Sequence, residues 1–468
     1  MALTIGGSVS LTPSPTQVAT PGNYITDFNF LNQYLPDTYE KEFERYGNRT
    51  VSSFLRMVGA EMPCTSDLIK WSEQGRLHIK YEDVTLADAE VAGADVVTLN
   101  ITGHVLRKGQ TVMVSDGGTS ATASFKGIIT AVADDTIDVA IYDADGLPAV
   151  SGLSAGDNSG TNLDIFVYGS EFKKGSNGME GALEAPTDIH ENNPIIIKDK
   201  YTVSGSDMAQ IGWIEVTTEN GGSGYLWYLK SEHETRLRFE DYLETAMIEA
   251  VPAEANSGAI AAGGDLGNKG SEGLFYAIEN GGNTTTGSLD SLDDIDAIVA
   301  RLDKQGAIEE NVLFVNRSLS FEIDNVLAAQ NNFGSSGASF GLFDNDDDMA
   351  LNLGFNGFRR GYDFYKSDWK YLNDATMRGG LVGGAVDGVL VPAGSTTVYD
   401  QVMGKNAKRP FLHVRYRASE AEDRKMKSWI VGSAGGASNS DLDAMEVHFL
   451  SERALCTLGA NNFFLFQD

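Results

Sequence analysis

The stretch from Asp164 to Val251 constrains the fold more than any other: a charged arm with no core of its own runs into one long unbroken helix. The arm has two β-rich ends, Asp164–Tyr168 and Pro194–Val203, around a tip of Gly, Lys, Glu and Asn. From Tyr225 to Ala250 there is then neither Gly nor Pro. Leu226, Leu229, Leu237, Phe239, Leu243, Met247 and Ala250 recur there mostly at helical spacing, which predicts one amphipathic helix. At 1.5 Å per residue it would be about 40 Å long, and Pro252 ends it. A solitary two-stranded ribbon is marginal in water, and its open edges invite pairing with another chain. The pattern predicts an arm that gains its stability on a neighbouring copy, and so an assembly of many chains rather than an enzyme.

Length and charge narrow the classes further. The chain's 468 residues are enough for several structural units and a sizeable core. No run approaches the roughly 20 apolar residues that a membrane span needs, and no membrane association is expected. The first residues, MALTIGGSVSLTPSPTQVATPGNYITDF, hold no Lys or Arg and no solid apolar block, so they are expected to be an arm and not a secretory signal. Cys64 and Cys456 are the only cysteines, which gives no disulfide framework and fits a reducing compartment. A net charge of −31 would repel phosphates, against direct duplex binding. Such a chain either ignores nucleic acid or surrounds it without gripping it; the acidity alone would also keep an abundant protein soluble.

Between Ala87 and Asn162 the composition changes. Lys and Arg nearly vanish, and the alternating runs VVTLNITG, TVMVSDGG, ASFKGIITAV and TIDVAIYDA predict short strands of a small barrel or sandwich. Asp134-Asp135 and Asp116-Gly117-Gly118 are its expected turns. Before it, Tyr39–Met57 is a short amphipathic segment with Phe43, Tyr46, Phe54 and Met57 as its contacts, and Ser66–Tyr81 is amphipathic and then strand-like. After the long helix and a Gly-rich link, Ser291 and Asp294 form a capping box for a helix through Leu292, Ile295, Val299 and Leu302 that stops at Gly306. Val312–Val315 reads as a buried strand, followed by a helix through Leu319, Ile323, Val326 and Leu327. That order predicts a mixed sheet flanked by helices. The last quarter is β-rich, with Leu412, Val414 and Tyr416 alternating with charged residues, and Ala454, Cys456 and Leu458 in a second alternating run.

No catalytic motif is present: GxxxxGK[ST], HExxH, CxxC and GxSxG are all missing, and the glycines of Gly263–Gly270 lack dinucleotide-loop spacing. The histidines are scattered, without the i, i+4 pairs of a metal site. Asp344, Asp346, Asp347 and Asp348 lack the glycine and distal glutamate of a calcium loop, and are expected to be a solvated tip. No enzyme activity, cofactor or metal is expected. Lys173, Lys174, Lys198 and Lys200, with Glu180 and Glu184, are the candidates for ion pairing at an intersubunit contact.

An N-terminal arm, an extended loop, a long helix, a Gly-rich link into an α/β domain and β-rich closing strands together resemble the major capsid protein of tailed double-stranded DNA bacteriophages, the Hong Kong 97 fold. Gly169–Gly178 with the following KDKYTVSGSDMAQIGW resembles the limbs of that family's extended loop, Gly224–Val251 its spine helix, and HFLSERALCTLGANNFFLF a closing strand pair. The resemblance implies an α+β fold in which an N-terminal arm (1–60) leads into the start of the extended-loop and peripheral region (61–86). A β-rich insertion (87–163) would interrupt the extended loop (164–216). The peripheral domain (217–290) would hold the spine helix (225–250), the axial α/β domain would span 291–400, and closing strands (401–468) would be shared between the two.

The function it implies is self-assembly of hexamers and pentamers into an icosahedral shell around the phage genome, without sequence-specific DNA binding. Assembly would take place in the host bacterial cytoplasm, and the protein would reside in the virion. Without a long, charged, helical N-terminal segment, a separate scaffolding protein is implied, with a portal and a decoration protein as further partners. The isopeptide cross-link of some relatives has no matching motif here. The alternative is an encapsulin-like compartment shell, which chain length and the insertion disfavour.

Overall fold

In a computed structural model the described residues are 54–55, 60–87, 93–116, 124–148, 163–181, 184–209, 216–217, 223–224, 227–255, 257–263, 268–286, 289–306, 308–331, 356–381, 384–400 and 405–467. The expected N-terminal arm apart from residues 54–55 and 60, the Asp116-Gly117-Gly118 turn beyond Asp116 and the Asp344–Asp348 cluster lie outside them. The secondary structure mixes helices with mostly antiparallel sheets, an α+β architecture. The chain divides into two compact units.

The described part of the smaller unit comprises Ile197–Glu244 (in part) and Met426–Ser451. Its sheet is built on the start of the long strand Ala444–Thr457, which pairs antiparallel with Lys427–Gly432 and is also hydrogen-bonded to Ile195–Ser204. The predicted long helix is present as Trp227–Glu249, while Tyr225 and Leu226 lie outside the described residues. Phe239 and Leu243 pack against Met445, Val447, Phe449 and Val203. The Phe239 and Phe449 rings stack at 5.7 Å. Arg238 reaches Asp199 at 3.1 Å, and Arg236 pairs with Glu240 one helical turn on. Gly432, at φ 142°, ends its strand where a Cβ would lie 1.9 Å from the Ala444 carbonyl oxygen, so only glycine fits.

The larger unit contains a closed six-stranded antiparallel barrel. Around it the strands run Lys80–Leu86, Val96–Asn100, Thr136–Ile141, Ser124–Val132, Gln110–Asp116, Leu163–Ser170 and back to the first. Alternate residues of each strand point inward. Val97, Leu99, Val112, Val114, Ile137, Val139, Leu163 and Ile165 make a dry interior. The turn at Asp134-Asp135 is closed by Ala133 N donating to the Thr136 carbonyl at 2.8 Å.

Two expectations change here. The barrel takes in Lys80–Leu86 before the predicted boundary, and Asp164–Tyr168, predicted as an outgoing limb of the arm, lies inside the barrel strand Leu163–Ser170. The reason is the inward alternation of Leu163, Ile165 and Val167, whose burial outweighs the charged look of the segment. The other expected limb, Pro194–Val203, is the strand Ile195–Ser204, and it joins the sheet of the smaller unit instead of pairing with Asp164–Tyr168.

The ribbon that does form pairs Ile69–Gln74 with Thr187–Asn192 in antiparallel register, Trp71 opposite His190. It has no third strand among the described residues. The barrel occupies the chain between its two strands, so the ribbon is the barrel's stem.

The rest of the unit holds a six-stranded mixed sheet in the order Asn283–Thr286, Phe464–Gln467, Val386–Pro392, Glu310–Val315, Tyr362–Asp368, Gly357–Arg360. Helices Leu292–Gln305 and Arg317–Asn331 pack Ile298, Leu302, Leu319, Ile323 and Leu327 onto it. The Ser291–Asp294 capping box and the left-handed Gly306 stop (φ 77°) are both formed. Phe54, from the predicted amphipathic segment, is buried between Trp369, stacked at 4.3 Å, and Phe314, edge-on at 4.6 Å. A further edge sets Ala60–Cys64 parallel to Leu412–Arg417, which pairs antiparallel with the end of Ala444–Thr457.

Candidate assembly surfaces

The stem is tied down at its base by one amide. Asn192 is buried, and its side-chain nitrogen donates to the carbonyls of Glu272 (2.9 Å) and Leu455 (2.7 Å). Its side-chain oxygen accepts from Glu272 N (2.8 Å) and the Ser271 hydroxyl (3.0 Å). Further along, Glu73 Oε1 accepts from Gly459 N at 2.7 Å, and Arg76 donates to the Lys304 carbonyl. Lys70 pairs with Glu191 across the ribbon at 2.8 Å. What the stem leaves uncovered is apolar: Leu77 is 78% exposed and Ile189 is 68% exposed. Isolated exposed apolar residues are ordinary, but Ile189 on a ribbon with open edges, with Leu77 close beyond its first strand, marks a surface suited to another chain.

Beside the stem lies a small recess of about 100 Å³ lined by Trp71, Glu73, His190, Glu272 and Thr457, among others. The His190 ring stacks on Trp71 at 5.8 Å and stands 3.7 Å from Glu73. Burial pushes the Glu272 carboxyl above the usual range, and the nearby His190 opposes that shift. A raised folded-state pKa gives stability that is complete below the unfolded value, about 4.3, and lost as pH rises through the folded value. Glu272→Gln is therefore expected to raise the melting temperature at pH 7, with the gain closing toward about pH 4, readable in paired thermal melts.

The predicted contact residues fall into separate places. Lys173, Lys174 and Glu180 sit in the exposed loop that follows the last barrel strand, where Ser176 closes a turn onto the Lys173 carbonyl. Lys173 and Glu180 line one groove there. Glu184 lines a different recess, with Arg76–Tyr81, Val105 and Pro186. Lys198 and Lys200 occupy successive outward positions of Ile195–Ser204. Lys200 already has a partner in its own chain, Glu446, at 3.4 Å.

Sequence reasoning missed a buried charge cluster. Glu452 and Arg453 are adjacent and both buried. Glu452 pairs with Arg424 (3.0 Å) and Arg417 (3.3 Å), and Glu61 with Lys425 and Arg453. Arg417 also reaches Asp67. The strand bearing Glu452 and Arg453 is covered on both faces, which period-two alternation cannot indicate. Among the described residues no group of His, Cys, Asp and Glu could hold a metal, and no helix is long and apolar enough to cross a membrane.

No family model and no curated protein matches the chain. Solved structures similar to it include a chain from Microbacterium phage Oxtober96 (10% identity, 92% of this chain and 95% of that chain covered, TM-score 0.40). Others are a chain from Gordonia phage Cozz (11%, 98% and 98%, TM-score 0.38) and one from the capsid structure of the cyanophage P-SCSP1u (8%, 64% and 80%, TM-score 0.36).

Proposed function

We propose that this chain is a shell subunit, the major capsid protein of a tailed phage, which assembles with copies of itself around double-stranded DNA. The observation that carries the reading is the stem: a two-stranded ribbon with exposed Ile189, and exposed Leu77 just beyond its first strand, that bears a closed barrel between its strands. Such a ribbon is marginal alone, and a neighbour would cover both its edges and its apolar side chains. The long helix Trp227–Glu249 and the mixed sheet after it follow the order of elements that the resemblance implies. Charge supports the same reading, since a wall of net charge −31 does not adhere to a packed genome across a screened gap of about 8–10 Å. On this reading the Hong Kong 97 fold is extended by a barrel carried on the extended loop, hexamers and pentamers are the capsomers, and scaffolding, portal and decoration proteins are the partners. Lys173, Lys174, Glu180, Glu184, Lys198 and Lys200 remain the candidate contacts. Negative-stain images of the purified full chain test it: closed shells or ring-shaped capsomers are expected, and fields of isolated single subunits at every concentration would refute it.

A further inference from the structure

One outward face of the barrel is apolar, aromatic and rimmed with positive charge. Pairing across four strands sets Lys80, Phe166, Met113 and Lys126 in one row. Phe166, Tyr168, Tyr142, Phe172, Met179 and Val132 are each 37–50% exposed. Lys126 Nζ stands 5.7 Å from the Tyr168 ring centre, and the Tyr142 hydroxyl donates to Glu171 at 2.6 Å. Where the face meets the loop after the last barrel strand, Arg107, Lys108, Ile128, Phe172, Lys173 and Met179 line a groove of about 760 Å³. Gly109, at φ 90°, shapes that end: a Cβ there would come within 2.6 Å of the Phe172 ring.

The charge distribution selects the occupant. Between residues 87 and 181 the Lys and Arg residues are Arg107, Lys108, Lys126, Lys173 and Lys174, and all stand on this face or in the adjoining loop, where they outnumber Glu171 and Glu180 of the same groove. Asp134, Asp135, Asp143 and Asp145 lie instead in the turns flanking Thr136–Ile141. An exposed apolar patch with a charged rim is the form of a protein contact surface, and aromatic residues, Met and Arg are enriched in such surfaces. A chain of net charge −31 offers complementary acidic surface on every other copy of itself.

We propose that this barrel face docks a second copy of the chain, receiving an acidic surface of the neighbour on the aromatic strip between its basic residues. The proposal rests on the shell-subunit reading and adds the contact that reading leaves unspecified. Because the two surfaces differ, the contact is heterologous and propagates from copy to copy, as a ring or closed lattice requires.

The test places a photo-cross-linking phenylalanine analogue at Tyr168 of the full chain and, separately, compares Phe166→Ser/Tyr168→Ser and Lys108→Glu/Lys173→Glu with the wild type. These positions face outward, and an unchanged thermal melt would verify that the barrel still folds. Expected are a cross-linked dimer mapped to an acid-rich peptide of the second copy and an assembly threshold raised at least tenfold in both double variants. Particles with no cross-link between copies, a cross-link only to some other molecule such as a polysaccharide or a different protein, or an unchanged threshold would overturn the contact and leave the shell reading standing. A wild-type chain that never associates would overturn both.

Discussion

Phe239→Ala is expected to destabilise the smaller unit by about 3–5 kcal/mol, the usual cost of removing a fully buried aromatic ring. Phe239 is completely buried, stacks on Phe449 and sits with Leu243 at the centre of the contact between the helix and Met445, Val447 and Val203. Its loss leaves a cavity against a sheet whose other side chains are held by strand pairing and cannot collapse inward. Urea unfolding followed by circular dichroism reads the effect. A change below about 1 kcal/mol would mean that the helix is not anchored through this ring. Tyr242→Ala, on an exposed position of the same helix, serves as the control and should be nearly neutral.

Glu452→Leu should cost about 1.5–3 kcal/mol by a different route, because it removes a buried carboxylate from two half-buried arginines. Glu452 faces Arg417 and Arg424, and its neighbour Arg453 reaches Glu61. Arg417 keeps Asp67 as a partner, so the charge most exposed to the loss is Arg424. The double variant Glu452→Leu/Arg424→Leu is expected to recover part of the lost stability, since it removes the uncompensated charge with its partner. Denaturant midpoints of the two single variants and the double variant form the cycle. Strict additivity would contradict the assigned pairing.

Local signals were legible in the sequence where one residue and its near neighbours decide the structure. The Ser291–Asp294 box, the Gly306 stop and the Asp134-Asp135 turn each depend on a few consecutive residues, and each is formed as read. The inward strands of the barrel were readable because Val97 and Leu99, and Val112 and Val114, recur at every second position of short β-branched runs. Its closing strands were not. Lys80 and Glu82 on one and Asp164 on the other point outward, and Lys80 bridges to both acids, so these strands look like charged arm until they pair with each other. A bulge at Asp83, the one non-glycine residue with positive φ among the described residues, further breaks the period there.

The stem was illegible for a related reason. Trp71 and His190 pair with the whole barrel lying between them in the chain, and pairing over that separation leaves no local trace. Of the predicted contact residues, charge and exposure were readable, whereas the aromatic face beside Lys173 was not. Tyr142 lies far in sequence from Phe166 and Phe172, and the closed barrel sets it beside their segment, where its hydroxyl donates to Glu171.

Sedimentation velocity of the purified full chain, run over rising protein concentration and at low and high salt, tests the shell-subunit reading most directly. On that reading, fast-sedimenting species whose mass is many times that of one 50.3 kDa chain are expected. A single species of 50.3 kDa under all of these conditions would contradict it.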